Sequence, residues 1–120
     1  MSDARVKLGR QGEELAVREL IHRGYEIVAR NWRCQVGEVD VVARRDEVWA
    51  FFEVRTRRGE EFGTPEESLT EAKQQRMVDV ALTYLGEHDL NDVDWRVGLV
   101  AVEMERAGRL LRLEVYESIW

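Results

Sequence analysis

Asp40, Glu53 and Arg55 are the residues whose types and spacing could do chemistry. They lie in or just after two apolar runs, Val39 to Ala43 and Val48 to Phe52. Charges in such surroundings are costly unless they pair or hold a cation. Both runs read as strands, because β-branched and aromatic residues dominate them and Arg44 to Glu47 breaks between them. The second run is apolar on both faces, as a strand central in its sheet would be. Glu53 and Arg55 share the face that carries Trp49 and Phe51. If Asp46-Glu47 is a two-residue hairpin loop, Arg45 pairs with Val48. Counting back, Asp40 then falls opposite Glu53, and Glu38 opposite Arg55. Asp-Glu lacks the glycine that such loops favour; a longer loop with the same centre keeps the register, and a bulge shifts it. Two carboxylates side by side on one face repel, and a divalent cation offsets the repulsion.

The elements that must position these groups follow from pattern and punctuation. Asp3 to Arg23 predicts a helix, with Ser2 or Asp3 as its cap and Gly24 as its stop. Leu8, Leu15, Ala16 and Leu20 form its apolar stripe. Gly12 lies on that stripe and would allow close packing on the sheet, with Glu13 at its edge. Tyr25 to Arg33 predicts a strand leading into the hairpin. Arg58 to Ser68 predicts a loop, containing the only proline, Pro65. It leaves the end of the strand that carries Glu53, either to close over a ligand or as a plain connector. Thr70 caps a second helix from Glu71 to about Leu85, with Gly86 as its stop. Lys73 and Arg76 share one side of its first turns, where basic residues oppose the helix dipole and a local anion would offset them. Trp95 to Val102 and Leu110 to Tyr116 predict two last strands around a Gly108 turn. The fold class is α/β or α+β: a five-stranded sheet of mixed direction with two main helices, in the order αβββαββ.

A chain of 120 residues suits one domain, 1–120, with a core that needs no staples. The single cysteine, Cys34, excludes an internal disulfide and a cysteine-based zinc site, and reads as a small packed hydrophobe. His22 and His88 have no metal-ligand partner at sensible spacing and read as surface residues. No apolar run approaches a membrane span and no signal core opens the chain, so the expectation is a cytoplasmic protein with no membrane partner. A formal net charge of −6 argues against binding nucleic acid through bulk charge, though not against a local basic patch. Arginines do cluster, at Arg30/Arg33, Arg44/Arg45 and Arg55/Arg57/Arg58.

Glu13, Arg30-Asn31-Trp32-Arg33, Gly37-Glu38-Val39-Asp40, Phe52-Glu53-Val54-Arg55 and Lys73-Gln74-Gln75-Arg76 together resemble the YraN-type bacterial proteins. That family is placed in the PD-(D/E)xK nuclease superfamily, near the archaeal Holliday-junction resolvases. The resemblance covers nearly the whole chain and implies a restriction-endonuclease-like core. It implies that Asp40 and Glu53 hold one Mg²⁺ (or Mn²⁺), with the Val54 carbonyl as a further donor and Glu13 as an outer or direct ligand. The catalytic set is then Glu13, Asp40, Glu53 and Arg55. Arg55 stands where the superfamily has lysine, and arginine keeps its proton, so it cannot act as a base. It can still contact a phosphate or stabilise transition-state charge. Lys73 could substitute if the second helix begins beside the site. An acid that relatives carry on the fourth strand is replaced by Arg96-Val97-Gly98.

Three functions follow. The first is metal-dependent hydrolysis of DNA, including branched or damaged forms, with Arg30, Arg33, Arg57, Lys73 and Arg76 gripping phosphates. The second is nucleic-acid binding without catalysis, lost through Arg55. The third is a protein-interaction module, with Glu53 and Arg55 as a structural ion pair and Trp95 and Trp120 as a docking surface. The resolvase likeness also implies a homodimer, since a two-fold substrate suits two sites.

Overall fold

The computed structural model describes residues 3–59 and 63–119. Ser2, Trp120 and the loop residues 60–62 lie outside them. The elements are α1 (Asp3–His22), β1 (Glu26–Cys34), β2 (Gly37–Arg45), β3 (Val48–Arg58), a 3-10 turn (Glu66–Ser68), α2 (Glu71–Glu87), β4 (Asp94–Met104) and β5 (Leu110–Tyr116). The five strands form one sheet in chain order, parallel only between β3 and β4, where α2 makes the crossover. This is the αβββαββ mixed sheet expected, consistent with a restriction-endonuclease-like core.

One helix covers each face. α1 lays Leu8, Ala16, Val17 and Leu20 on Val41, Ala43, Phe52, Val100 and Val102. α2 lays Met77, Val80, Ala81 and Tyr84 on Val39, Val42, Phe51 and Val97. Phe51 and Phe52 are both buried, on opposite faces. That confirms β3 as a strand apolar on both sides, each such ring contributing about 1.5–3 kcal/mol. At Gly12 a Cβ would come within 1.9 Å of Thr56 Oγ1, so only glycine lets α1 approach β3 this closely.

The β2–β3 turn forms with the unfavoured sequence. Asp46 and Glu47 take φ of 51° and 66°, two left-handed residues in a row, as a tight hairpin of this twist requires. Arg45 pairs with Val48 as counted. The end of α2 differs from expectation. The helix runs through Gly86 to Glu87, and Asp89 takes the left-handed position instead, at φ 54°. Leu90 N–H reaches Leu85 O and Asp89 N–H reaches Gly86 O, so the last carbonyls are satisfied without glycine at the turn. α1 ends in the same way on Gly24, at φ 93°.

Candidate functional site

The β2–β3 ladder that begins at the tight turn stops at the Val41–Phe52 pair. Two local features lie beside that end. Asn31, which lies between the Arg30–Val41 and Trp32–Val39 pairs and so faces Asp40, holds φ 53°. Asparagine tolerates that conformation better than most residues. The alternation of β2 also slips at Asp40: Val39 and Val42 pack towards α2, whereas Val41 and Ala43 pack towards α1. Asp40 is thereby turned into the gap between the strands, where its Oδ2 accepts the Val54 N–H at 2.7 Å. The N–H and C=O of one extended residue point the same way, so the Val54 carbonyl faces this gap too.

Burial pushes the Asp40 carboxyl up to about 8. The neighbouring Glu53 adds to the shift, by a shared hydrogen bond and by like charge, while the Val54 N–H opposes it. The two acids singled out in the sequence are neighbours at an opening of the sheet rather than partners on a regular ladder, Asp40 lining the groove on the α1 side and Glu53 the groove on the α2 side. The expected opposition of Glu38 and Arg55 does not form. Glu38 pairs with Arg33 across β1 and β2, at 3.1 Å, because the ladder to β3 has already ended.

Glu13 stands one residue beyond the Gly12 contact. Its Oε1 accepts from Arg30 Nε at 3.1 Å, Arg30 Nη2 at 3.0 Å and Asn31 Nδ2 at 2.9 Å. It thus braces the left-handed Asn31 and stands behind Asp40, whose acidity its charge also weakens. Among the described residues no three acids, histidines or cysteines converge as a metal cluster. The structure brings together a pair of acids, with Glu13 behind it.

Arg55 lies 3.8 Å from Glu53 by Nη2, and its buried Nε has no hydrogen-bond partner among the described residues. It lines two grooves. The groove on the α2 side, about 500 Å³, also holds Glu53, Arg33, Lys73 and Arg76. Lys73, which donates to Ser68 O at 3.1 Å, therefore does stand at the same opening as Glu53. The groove on the α1 side is larger, about 1180 Å³, and holds Asp40, Glu13 and Arg57. Arg5, Arg10, Arg58 and Arg106 line it as well. Arg30 is engaged by Glu13 and Glu14, the latter at 2.8 Å, so part of its charge is already matched. Sequence reasoning missed Arg5, Arg10 and Arg106. They are isolated in the chain, and only the packing of α1 against the far end of the sheet gathers them.

The sheet also accounts for the missing fourth-strand acid. Gly98 pairs with Phe52, and a Cβ there would come within 2.5 Å of Tyr116 O and 2.6 Å of the Phe52 ring. Cys34 packs against the α2-side core as expected. Trp95 packs there too and is partly buried. His88, although exposed, stacks on Tyr84 at 3.9 Å between ring centres. No helix among the described residues is long and apolar enough to cross a membrane.

Residues 12–112 match the family model described as "Uncharacterised protein family UPF0102". Relatives described as "UPF0102 protein" include one from Roseiflexus castenholzii, 47% identical over 87% of this chain and 85% of its own. Another, from Pelotomaculum thermopropionicum, is 43% identical over 98% of each chain. A third, from Nocardia farcinica, is 56% identical over 68% of this chain and 65% of its own. Matches of this extent, running across both acids, show that the chain belongs to the UPF0102 family, the YraN-type family that its sequence resembles.

Proposed function

We propose that this protein is a Mg²⁺- or Mn²⁺-dependent nuclease-fold protein that hydrolyses phosphodiesters in DNA. The observation that carries the reading is the Asp40–Glu53 pair, two carboxyl groups held together at the opening of the β2–β3 ladder with arginines on both sides. The donor set fits a hard cation. Mg²⁺ is commonly held by one or two carboxylates and keeps several waters. Asp40 and Glu53 would bind it directly, with the Val54 carbonyl as a further donor and Glu13 acting through Asn31 and Arg30. When bound, such an ion polarises a phosphoryl oxygen and acidifies water.

The chain's own residues supply the rest. Asp40 and Glu53, both ionised, would be the pair that holds such an ion. Arg55 holds a phosphoryl oxygen and faces developing negative charge. Lys73, at the start of α2, supplies a second cation at the same opening. Incubation of supercoiled, linear and branched DNA with the protein and Mg²⁺ or Mn²⁺ tests this. Cleavage that disappears in Asp40→Asn is expected; no cleavage of any form with either ion would overturn it. Arg55 in place of lysine favours one other reading, binding without turnover. In that case Arg55→Lys restores cleavage to a chain that otherwise only binds. Two sites on a branched substrate call for a homodimer, which sedimentation with and without DNA reads directly.

A further inference from the structure

In a chain of formal net charge −6, eight of the sixteen arginines make an ion pair with a carboxylate among the described residues. They are Arg23, Arg30, Arg33, Arg44, Arg45, Arg55, Arg109 and Arg112. The α1-side groove is different. Arg5 and Arg10 from α1, Arg57 from β3 and Arg106 from the β4–β5 turn all line it. None of the four makes an ion pair among the described residues. Like charges gathered round one groove repel, and an anionic ligand offsets that.

A second observation points the same way. Gly12 has a packing reason, the contact with Thr56, but Gly9 has none: a Cβ there would have nothing within 4 Å. A glycine inside a helix costs about 1 kcal/mol relative to alanine. Gly9 is exposed and lines the groove with Arg5 and Arg10. A bare helix surface at that point leaves room for a ligand backbone to approach closely.

We propose that the α1-side groove binds the phosphodiester backbone of DNA beside Asp40. Phosphates sit on Arg5, Arg10, Arg57 and Arg106, and Gly9 leaves the space between them. This rests on the nucleic-acid role proposed for the Asp40–Glu53 pair, but its test needs no turnover. Guanidinium groups hold phosphate oxygens by paired N–H donors. Binding through phosphates is steeply salt-dependent and nearly blind to base sequence.

The test is fluorescence anisotropy of a short labelled DNA duplex with the full chain in EDTA. Arg10→Glu and Arg106→Glu are each expected to weaken binding by about tenfold, and to lower the slope of log K against log salt by about one. Gly9→Leu is expected to weaken binding without lowering the melting temperature. Arg18→Glu, an exposed change on α1 away from the groove, is the control for charge alone. Binding is read in EDTA and cleavage separately in Mg²⁺, so loss of grip and loss of chemistry are distinguished. If no variant cleaves yet Arg10→Glu still weakens binding, the groove stands and the hydrolytic reading falls. The groove proposal is overturned if the unmodified chain binds no duplex, if Arg18→Glu weakens binding as much as Arg10→Glu, or if the salt slope is unchanged in both groove variants.

Discussion

Glu66 and Asp40 are carboxyl groups at the margins of one sheet, and their surroundings drive them in opposite directions. Glu66 accepts both Nη atoms of Arg112, at 2.7 and 2.8 Å, and the Tyr116 hydroxyl at 2.6 Å. Arg112, which also bonds Glu103, holds the Glu66 carboxyl down at about 2. This clamp fastens the 3-10 turn to β5, so the segment before α2 is anchored there. Asp40 has burial, Glu53 and Glu13 against its charge, and one backbone N–H for it. The first site gains from folding. At the second the fold disfavours the charged form, which is where a bound cation contributes most.

The contrast breaks most readily at Asp40. Asp40→Asn keeps an acceptor for the Val54 N–H but removes a ligand charge. Mn²⁺ affinity by calorimetry, and any turnover, should fall by more than the ~10–100-fold typical of losing a mere outer partner. Glu66→Ala should instead cost roughly 2 kcal/mol in urea unfolding and leave Mn²⁺ binding unchanged, because it leaves a half-buried arginine with fewer acceptors.

The sign of the pH dependence sharpens the comparison. The folded state keeps the Asp40 proton to about 8, whereas the unfolded chain gives it up in the ordinary carboxylate range. Stability from this group is therefore full in acid and is lost as pH rises through that window. Metal-free Asp40→Asn should then be more stable than the parent at pH 8, with a flatter melting-temperature profile from pH 5 to 8. Glu66 runs the other way. Its contribution is present above the ordinary carboxylate range and is lost as pH falls towards about 2. The smallest effect belongs to the turn that sets the register. Replacing Asp46-Glu47 by Asn-Gly should stabilise the protein by up to about 1 kcal/mol, by relieving two left-handed residues, and leave Mn²⁺ affinity as it was.

The sequence by itself determined the elements, the αβββαββ order and the hairpin register that makes Asp40 and Glu53 neighbours. Those depend on local signals: period-2 and helical patterning, capping at Thr70 and Gly24, and a hairpin whose register needs only counting from Arg45 and Val48. Tertiary structure alone decided that the ladder opens after Val41–Phe52, that Asp40 takes the Val54 N–H, and that Glu13 braces Asn31 behind the pair. It alone gathered Arg5 and Arg10 of α1, Arg57 of β3 and Arg106 of the β4–β5 turn round one groove, since these three segments are far apart in the chain. The physical reason is that a hairpin or a cap is fixed by neighbours a few residues away. A gap between strands, or a groove between a helix and a turn, exists only once both sides of the core have packed.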